Sequence, residues 1–140
     1  CHDAGLMVIY HGCGNASSLY EDFIEIGLDG YNPLECKAGL KAPELRRQLG
    51  NRLAFVGNID VRELESGDMD RIRREVLYKL TGAAGGLYIP QSDHSVSSGV
   101  SPESFAYYVK TVREYGDYPL DLARIEKDLA ALNAKLGIPE

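Results

Sequence analysis

The sequence predicts an α/β fold of parallel βα units, enough of them for half of an eightfold barrel. Three observations carry this expectation. Short apolar runs alternate with segments of helical periodicity, the order that builds parallel sheets. The alternation repeats every roughly 25–30 residues, as in a barrel of about 250 residues. No GxGxxG follows the first run and no P-loop occurs, so a small open doubly wound sheet is only the second choice of fold.

The elements follow in order. Residues 6–10 (LMVIY) form a continuous apolar run, the pattern of a strand covered on both faces. Residues 17–26 place Leu19, Phe23 and Ile26 on one helical face, with Ser17 or Ser18 to cap the start and Gly27 to stop it. Residues 28–32 make a weaker second strand before Pro33, and residues 43–49 a short helix with Pro43 in its first turn and Gly50 at its end. The third strand is 53–56 (LAFV), running into Gly57, Asn58, Ile59 and Asp60. A long amphipathic helix covers 68–80, with Met69, Ile72, Val76 and Leu80 at helical spacing. Gly85 and Gly86 lead into the fourth strand, 87–89, and a polar loop PQSDHSVSSG. Ser101 and Pro102 open the next helix, whose stripe is Phe105, Val109 and Val112; the last helix, 122–136, carries Leu129, Leu132 and Leu136 on one face.

Composition narrows the function classes. With 140 residues, 44% hydrophobic and 26% charged, the chain is an ordinary globular domain. A net charge of −6 and the lack of a basic cluster argue against a nucleic-acid surface. No apolar run approaches bilayer length and no signal-peptide pattern opens the chain, so no membrane contact and a cytoplasmic location are expected. Three unevenly spaced cysteines make no disulfide framework. The chain begins at Cys1, almost on top of a strand, where a complete domain more often opens with a few loose residues; a cut through a larger protein is expected.

The reactive residues gather at one edge. His11 and Cys13 follow the first strand, Asn32 and Glu35 the second, Asn58 and Asp60 the third, and Gln91, Asp93 and His94 the fourth. In barrels and open α/β sheets that edge carries the active site. Each residue has a plainer reading. His11 and Cys13 could be a hydrogen-bonded histidine and an inert buried thiol. Asn58 and Asp60 could form an Asx-turn, Glu35 could cap a loop, and His94 could be a surface histidine. The shared edge tips the balance toward a site. There Gly57 permits close approach of a backbone or ligand, and Asp60 is expected to hydrogen-bond a substrate or orient a ligand histidine, facing the same cavity as His11.

The blocks YHGCGN, GLDGYNPLE, LAFVGNIDVREL and GGLYIPQSDHSVSSGVSPESF resemble successive blocks of the uroporphyrinogen decarboxylase superfamily over roughly residues 3–120. The resemblance implies the C-terminal half of a (β/α)8 TIM barrel, with residues 1–118 as four βα units and 119–140 as a C-terminal helix. It also implies one of two chemistries. The decarboxylases remove acetate carboxyls from a tetrapyrrole, uroporphyrinogen, without a metal. His94 matches their last-loop histidine, while their catalytic aspartate and substrate-binding arginines lie in an N-terminal half. The methylcobalamin-dependent methyltransferases hold zinc with a His-x-Cys pair and a distant cysteine. His11 and Cys13 match that pair, and His94 stands where the distant cysteine would be, so His94, or else Glu35 or Cys36, completes a metal site.

Zinc suits imidazole and thiolate ligands and leaves a position open in catalytic sites, where a bound thiol loses its proton and becomes a nucleophile. The resemblance thus implies His94 and Asp60 in catalysis, Asn58, Glu35 and Gln91 in substrate binding, zinc as cofactor, and a corrinoid, free or on a corrinoid protein, as methyl donor. Metal-free decarboxylation, with Cys13 incidental, and an inactive partial barrel are the alternatives. Half a barrel exposes two sheet edges, so a missing N-terminal half or a second copy is expected to cover them. For the metal reading, the ligand atoms of His11 and Cys13 should lie within about 4 Å of each other, and a ring nitrogen of His94 within about 5 Å of the Cys13 sulfur. With the cation bound, Cys13 would be a low-pKa thiolate.

Overall fold

The computed structural model describes residues 1–139. Strands β1 (Ile9–His11), β2 (Gly30–Asn32), β3 (Ala54–Ile59) and β4 (Tyr88–Ser92) form one sheet in chain order, and every neighbouring pair is parallel. That order is a barrel arc and rules out the doubly wound alternative, whose strand order reverses at a switch point. Helices α1 (Tyr20–Glu25) and α2 (Ala42–Leu49) connect the first three strands. The pair α3 (Val61–Glu65) and α4 (Met69–Leu80) leads to β4, and α5 (Pro102–Tyr115) and α6 (Leu122–Leu136) follow it. Among the described residues, no helix is long and apolar enough to cross a membrane.

The sheet has two unlike faces. Tyr31, Phe55 and Tyr88 alternate toward the helices and are buried, joining Ile72, Val76, Leu77, Leu80 and Ile125 in the core. On the other face Met7, Ile9, Leu87 and Ile89 are 82%, 52%, 51% and 58% exposed, and with Ala54 and Val56 they line an open apolar groove. The run LMVIY reads as doubly covered, but here Leu6, Met7, Ile9 and Tyr10 leave both of its faces exposed.

Element edges depart from the sequence reading in physically clear ways. The regular strand begins at Ile9, and the ladder carries it through His11. β3 continues three residues past the apolar run, because Gly57, Asn58 and Ile59 all pair with β4. A short helix, α3, was not foreseen; Asp60 caps it by accepting the Arg62 N–H at 3.0 Å. Neither Ser17 nor Ser18 caps α1. Instead Asn15 Oδ1 accepts the Ser17 N–H at 3.0 Å, shaping the turn from one step earlier. On α5 the buried face is Ser104, Tyr108, Thr111 and Tyr115, and Phe105 is 39% exposed. Tyr108 turns that face inward because its hydroxyl donates to the Pro90 carbonyl at 2.8 Å.

Arg46 fastens the end of the sheet opposite the reactive edge. Its guanidinium lies 4.4 Å from the Phe55 ring centroid and donates to the carbonyls of Gly50, Leu53, Gly82 and Leu87 at 2.6–3.2 Å. Leu53 and Leu87 immediately precede β3 and β4, so one side chain holds both strand entries. Arg46→Met keeps the aliphatic stem and strands those carbonyls. It should cost about 2–3 kcal/mol in urea denaturation, and Arg46→Lys should recover little because an ammonium cannot reproduce the planar fork.

Candidate active site

The turn after β1 is built around Gly12. Its N–H donates to the Asn32 carbonyl at 2.9 Å, and its own carbonyl accepts the Tyr31 hydroxyl at 2.7 Å. A Cβ at Gly12 would sit 2.8 Å from that hydroxyl oxygen and 2.8 Å from the Tyr10 ring, so only glycine lets the tyrosine reach in. Tyr31 is held by aromatic packing, with centroids 5.0 Å from Tyr20 and 5.9 Å from Phe23. The core of the outer layer thus fixes the backbone between His11 and Cys13.

Asn32 orients His11. His11 Nδ1 lies 2.6 Å from Asn32 Oδ1, while Asn32 Nδ2 donates to the Val56 carbonyl at 2.9 Å. The second bond settles which end of the amide faces the ring. An oxygen can only accept, so Nδ1 carries the proton and Nε2 presents a lone pair. That lone pair faces Cys13, with Nε2 3.8 Å from Sγ, and both residues are exposed. The separation is the one expected of two ligands to one ion. The Cys13 thiol is not packed inward against Leu19 and Phe23.

Glu35 is the second neighbour of Cys13. Its carboxylate beside the thiol pushes the thiol above its ordinary range, with partial desolvation acting the same way. This direction is opposite to the low thiol pKa expected with a cation bound. His94, Gln91 and Asn32 line a hollow of 340 Å³ together with His11 and Cys13. His94 also lines an adjoining hollow of 220 Å³, shared with Glu35, Lys37, Asp60, Arg62 and Asp93. The expected convergence of a third ligand is incomplete. Among the described residues no three His, Cys, Asp or Glu side chains are grouped to hold a metal ion.

Three expected site residues are placed differently. Asn58 is fully buried, with φ +64°, because β3 runs past it and turns its side chain beneath the β2 loop. There its amide accepts from the Ala42 N–H and Lys79 Nζ and donates to the Leu34 and Leu40 carbonyls at 2.6–2.9 Å; it lines neither hollow. Gly57 likewise faces the Pro33 carbonyl and not the cavity of His11. The Cys36 thiol points inward, 3.4 Å from Lys79 Nζ, 3.4 Å from Asn58 Nδ2 and 3.4 Å from the Asn58 carbonyl, and burial pushes it well above its ordinary range. It is withdrawn as a metal ligand.

Asp60 lines the smaller hollow, yet its oxygens are already engaged by the Arg62 guanidinium at 2.6–3.2 Å. Burial acts to raise its carboxyl, but the guanidinium and the Arg62 N–H outweigh it and hold the group below the usual carboxylate range.

The residues that sequence reasoning underrated are Asn32 and Lys79. Asn32 stood at the right strand end, but nothing in a single sequence says which polar neighbour orients a histidine. Lys79 stands seven residues after Ile72, on the inward face of α4, and is 3% exposed, a charge where the pattern of the helix calls for an apolar residue.

The uroporphyrinogen decarboxylase (URO-D) family model matches residues 1–115. A solved methyltransferase from Methanosarcina mazei is similar over 79% of this chain at 25% sequence identity, with a TM-score of 0.60. The match covers 32% of that methyltransferase, so the present chain spans about a third of its length. No curated protein matches the chain.

Proposed function

Because the chain belongs to the uroporphyrinogen decarboxylase family, we propose that it carries the metal side of a methyltransferase site that moves a methyl group from a corrinoid to a thiol with zinc as cofactor. The observation that supports this reading is the His11–Cys13 pair: a bare imidazole nitrogen 3.8 Å from an exposed sulfur at the C-terminal edge of the strands. An imidazole and a thiolate are ligands zinc prefers, and the Asn32 contact holds the ring in the tautomer a metal needs. The methyltransferase similarity adds weight to this branch of the family.

His11 and Cys13 would hold the ion. Glu35, already against Cys13, and His94, on the wall of the same hollow, are the sources of the third donor. When bound, zinc supplies a positive charge that favours the thiolate form of a thiol substrate. The chain's own part is placement. Gly12 pins the turn, Asn32 fixes the ring, and Gln91 and His94 shape the wall where the acceptor enters. We assign the open apolar face of Met7, Ile9, Leu87 and Ile89 to contact with the remaining βα units of a full barrel, with a second copy of the chain as the alternative cover.

The test is metal content. The purified chain should hold about one zinc, and Cys13→Ala should lower its affinity at least about 100-fold, since losing a ligand costs more than the roughly 10- to 100-fold of losing a ligand's support. A complete barrel carrying Cys13→Ala should lose thiol methylation by methylcobalamin. If neither the wild type binds zinc nor Cys13→Ala changes activity, metal-free decarboxylation with His94 at the substrate takes its place.

A further inference from the structure

The side chains that face the two hollows stand on separate loops, and one buried carboxylate joins those loops. Asp93 is 3% exposed. One of its oxygens accepts the Cys36 N–H at 2.8 Å, the other accepts the Val61 N–H at 2.9 Å, and its own N–H donates to the Ile59 carbonyl at 2.7 Å. Each carboxylate tie lands one residue from a side chain of the site: Cys36 follows Glu35, and Val61 follows Asp60. Asp93 itself precedes His94. A carboxylate offers only acceptor oxygens, and here both are used on backbone donors, whose positions are set by the course of the chain and not by a rotamer.

The tie to Cys36 is the one the sheet cannot supply. β2 and β4 are not neighbours; β3 lies between them. Ladder hydrogen bonds therefore fix each loop relative to β3 but leave the gap between the β2 loop and the β4 loop free to breathe. The Asp93 carboxylate spans that gap directly, and Glu35 and His94, the two sources of a third donor, sit on its two sides.

We propose that Asp93 is the positioning residue of this site: it sets Glu35 beside Cys13 and holds His94 on the wall of the same hollow, so that a third donor can meet the His11–Cys13 pair. The metal part of this inference rests on the reading of that pair as half of a zinc site; the placement of Glu35 does not.

The experiment uses the whole chain and two readouts. In the metal-free protein, proton–proton nuclear Overhauser contacts between the Glu35 side chain and the Cys13 β-protons report the placement. Co²⁺, added alone as the probe, reports ligation through its thiolate charge-transfer absorption.

Asp93→Asn leaves one acceptor oxygen and turns an amide N–H₂ toward the second backbone donor. It should abolish the Glu35–Cys13 contact and weaken Co²⁺ binding about 10- to 100-fold. Cys36→Pro removes the N–H that Asp93 accepts. Glu35 before it already has φ −61° and ψ 121°, the conformation a following proline favours. It should reproduce the effect, whereas Cys36→Ala, which keeps the N–H, should not. Ile125→Ala, a fully buried core change on α6, serves as the control for lost stability: it should lower the melting temperature while leaving both readouts in place.

Survival of the Glu35–Cys13 contact in Asp93→Asn or Cys36→Pro, or an equal loss in Ile125→Ala at matched melting temperature, overturns the proposal. If the contact behaves as expected but the wild type shows no cobalt–thiolate band, Asp93 still positions the site and the zinc reading is the one that fails.

Discussion

Asn58→Ala should cost about 3–5 kcal/mol of folding stability, although the residue lines neither hollow. Three things are lost together. The Leu34 and Leu40 carbonyls lose their only side-chain donor from β3, and the Ala42 N–H that starts α2 loses its acceptor. Lys79, 3% exposed, keeps Glu75 at 3.4 Å but loses the Asn58 oxygen at 2.9 Å. The backbone at φ +64° is one asparagine tolerates and alanine does not, a further cost of about 1–2 kcal/mol in the left-handed region. Against a typical total stability of about 5–15 kcal/mol, the variant should be close to unfolded at 37 °C. A double-mutant cycle with Lys79→Met sharpens the test. The pair shares one network, so the two losses should fall short of additive by about 0.5–3 kcal/mol. Additive losses would show that Asn58 and Lys79 act separately and that the buried network is no unit.

The chain order of the strands was legible because a βα alternation with short connections admits few topologies, and parallel pairing with right-handed crossovers leaves one arc. The reactive edge was legible for the same reason: each apolar run stopped where polar chemistry began. Direction was not legible. His11 and Asn58 look alike in the sequence, each a polar residue at the end of an apolar run beside glycine. His11 projects into a hollow because Gly12 turns the chain immediately after it and Asn32 holds its ring. Asn58 turns under the sheet because β3 keeps pairing with β4 for one residue more and Lys79 rises from α4 to meet it. Neither partner is within twenty residues in the chain. The α5 stripe failed on similar grounds. Valine and phenylalanine spacing suggested the inner face, but tyrosines with hydroxyls aimed at the Pro90 carbonyl and at Asp128 claimed it. Periodicity counts apolar side chains, whereas a large amphipathic ring can bury its body and still satisfy its oxygen.

Gly57→Ala should be the most damaging single methyl in the molecule, with a loss above about 5 kcal/mol, which places it among exceptional point substitutions. An added Cβ would stand 1.8 Å from the Pro33 oxygen, 2.6 Å from its carbonyl carbon and 2.9 Å from its Cα. All three are backbone atoms, so no rotamer change relieves the overlap. Pro33 cannot retreat cheaply either, because its carbonyl accepts the Asn58 N–H at 2.9 Å. Gly57 itself is held from the other side by the Tyr88 hydroxyl, which donates to its carbonyl at 2.9 Å. Its φ of +128° adds a conformation that residues with a side chain rarely adopt. Gly39→Ala separates strain from overlap, since Gly39 has φ +84° and ψ 10° in the left-handed region and its Cβ would meet nothing within 4 Å; it should cost only about 1–2 kcal/mol. Urea denaturation followed by circular dichroism compares the two. A Gly57→Ala midpoint no lower than that of Gly39→Ala would mean the β2–β3 approach is looser than 1.8 Å implies. A chain with no folded baseline at zero urea is the expected result, because the overlap falls where the loop that carries Glu35 crosses the strand that leads to Asp60, and backbone meets backbone there.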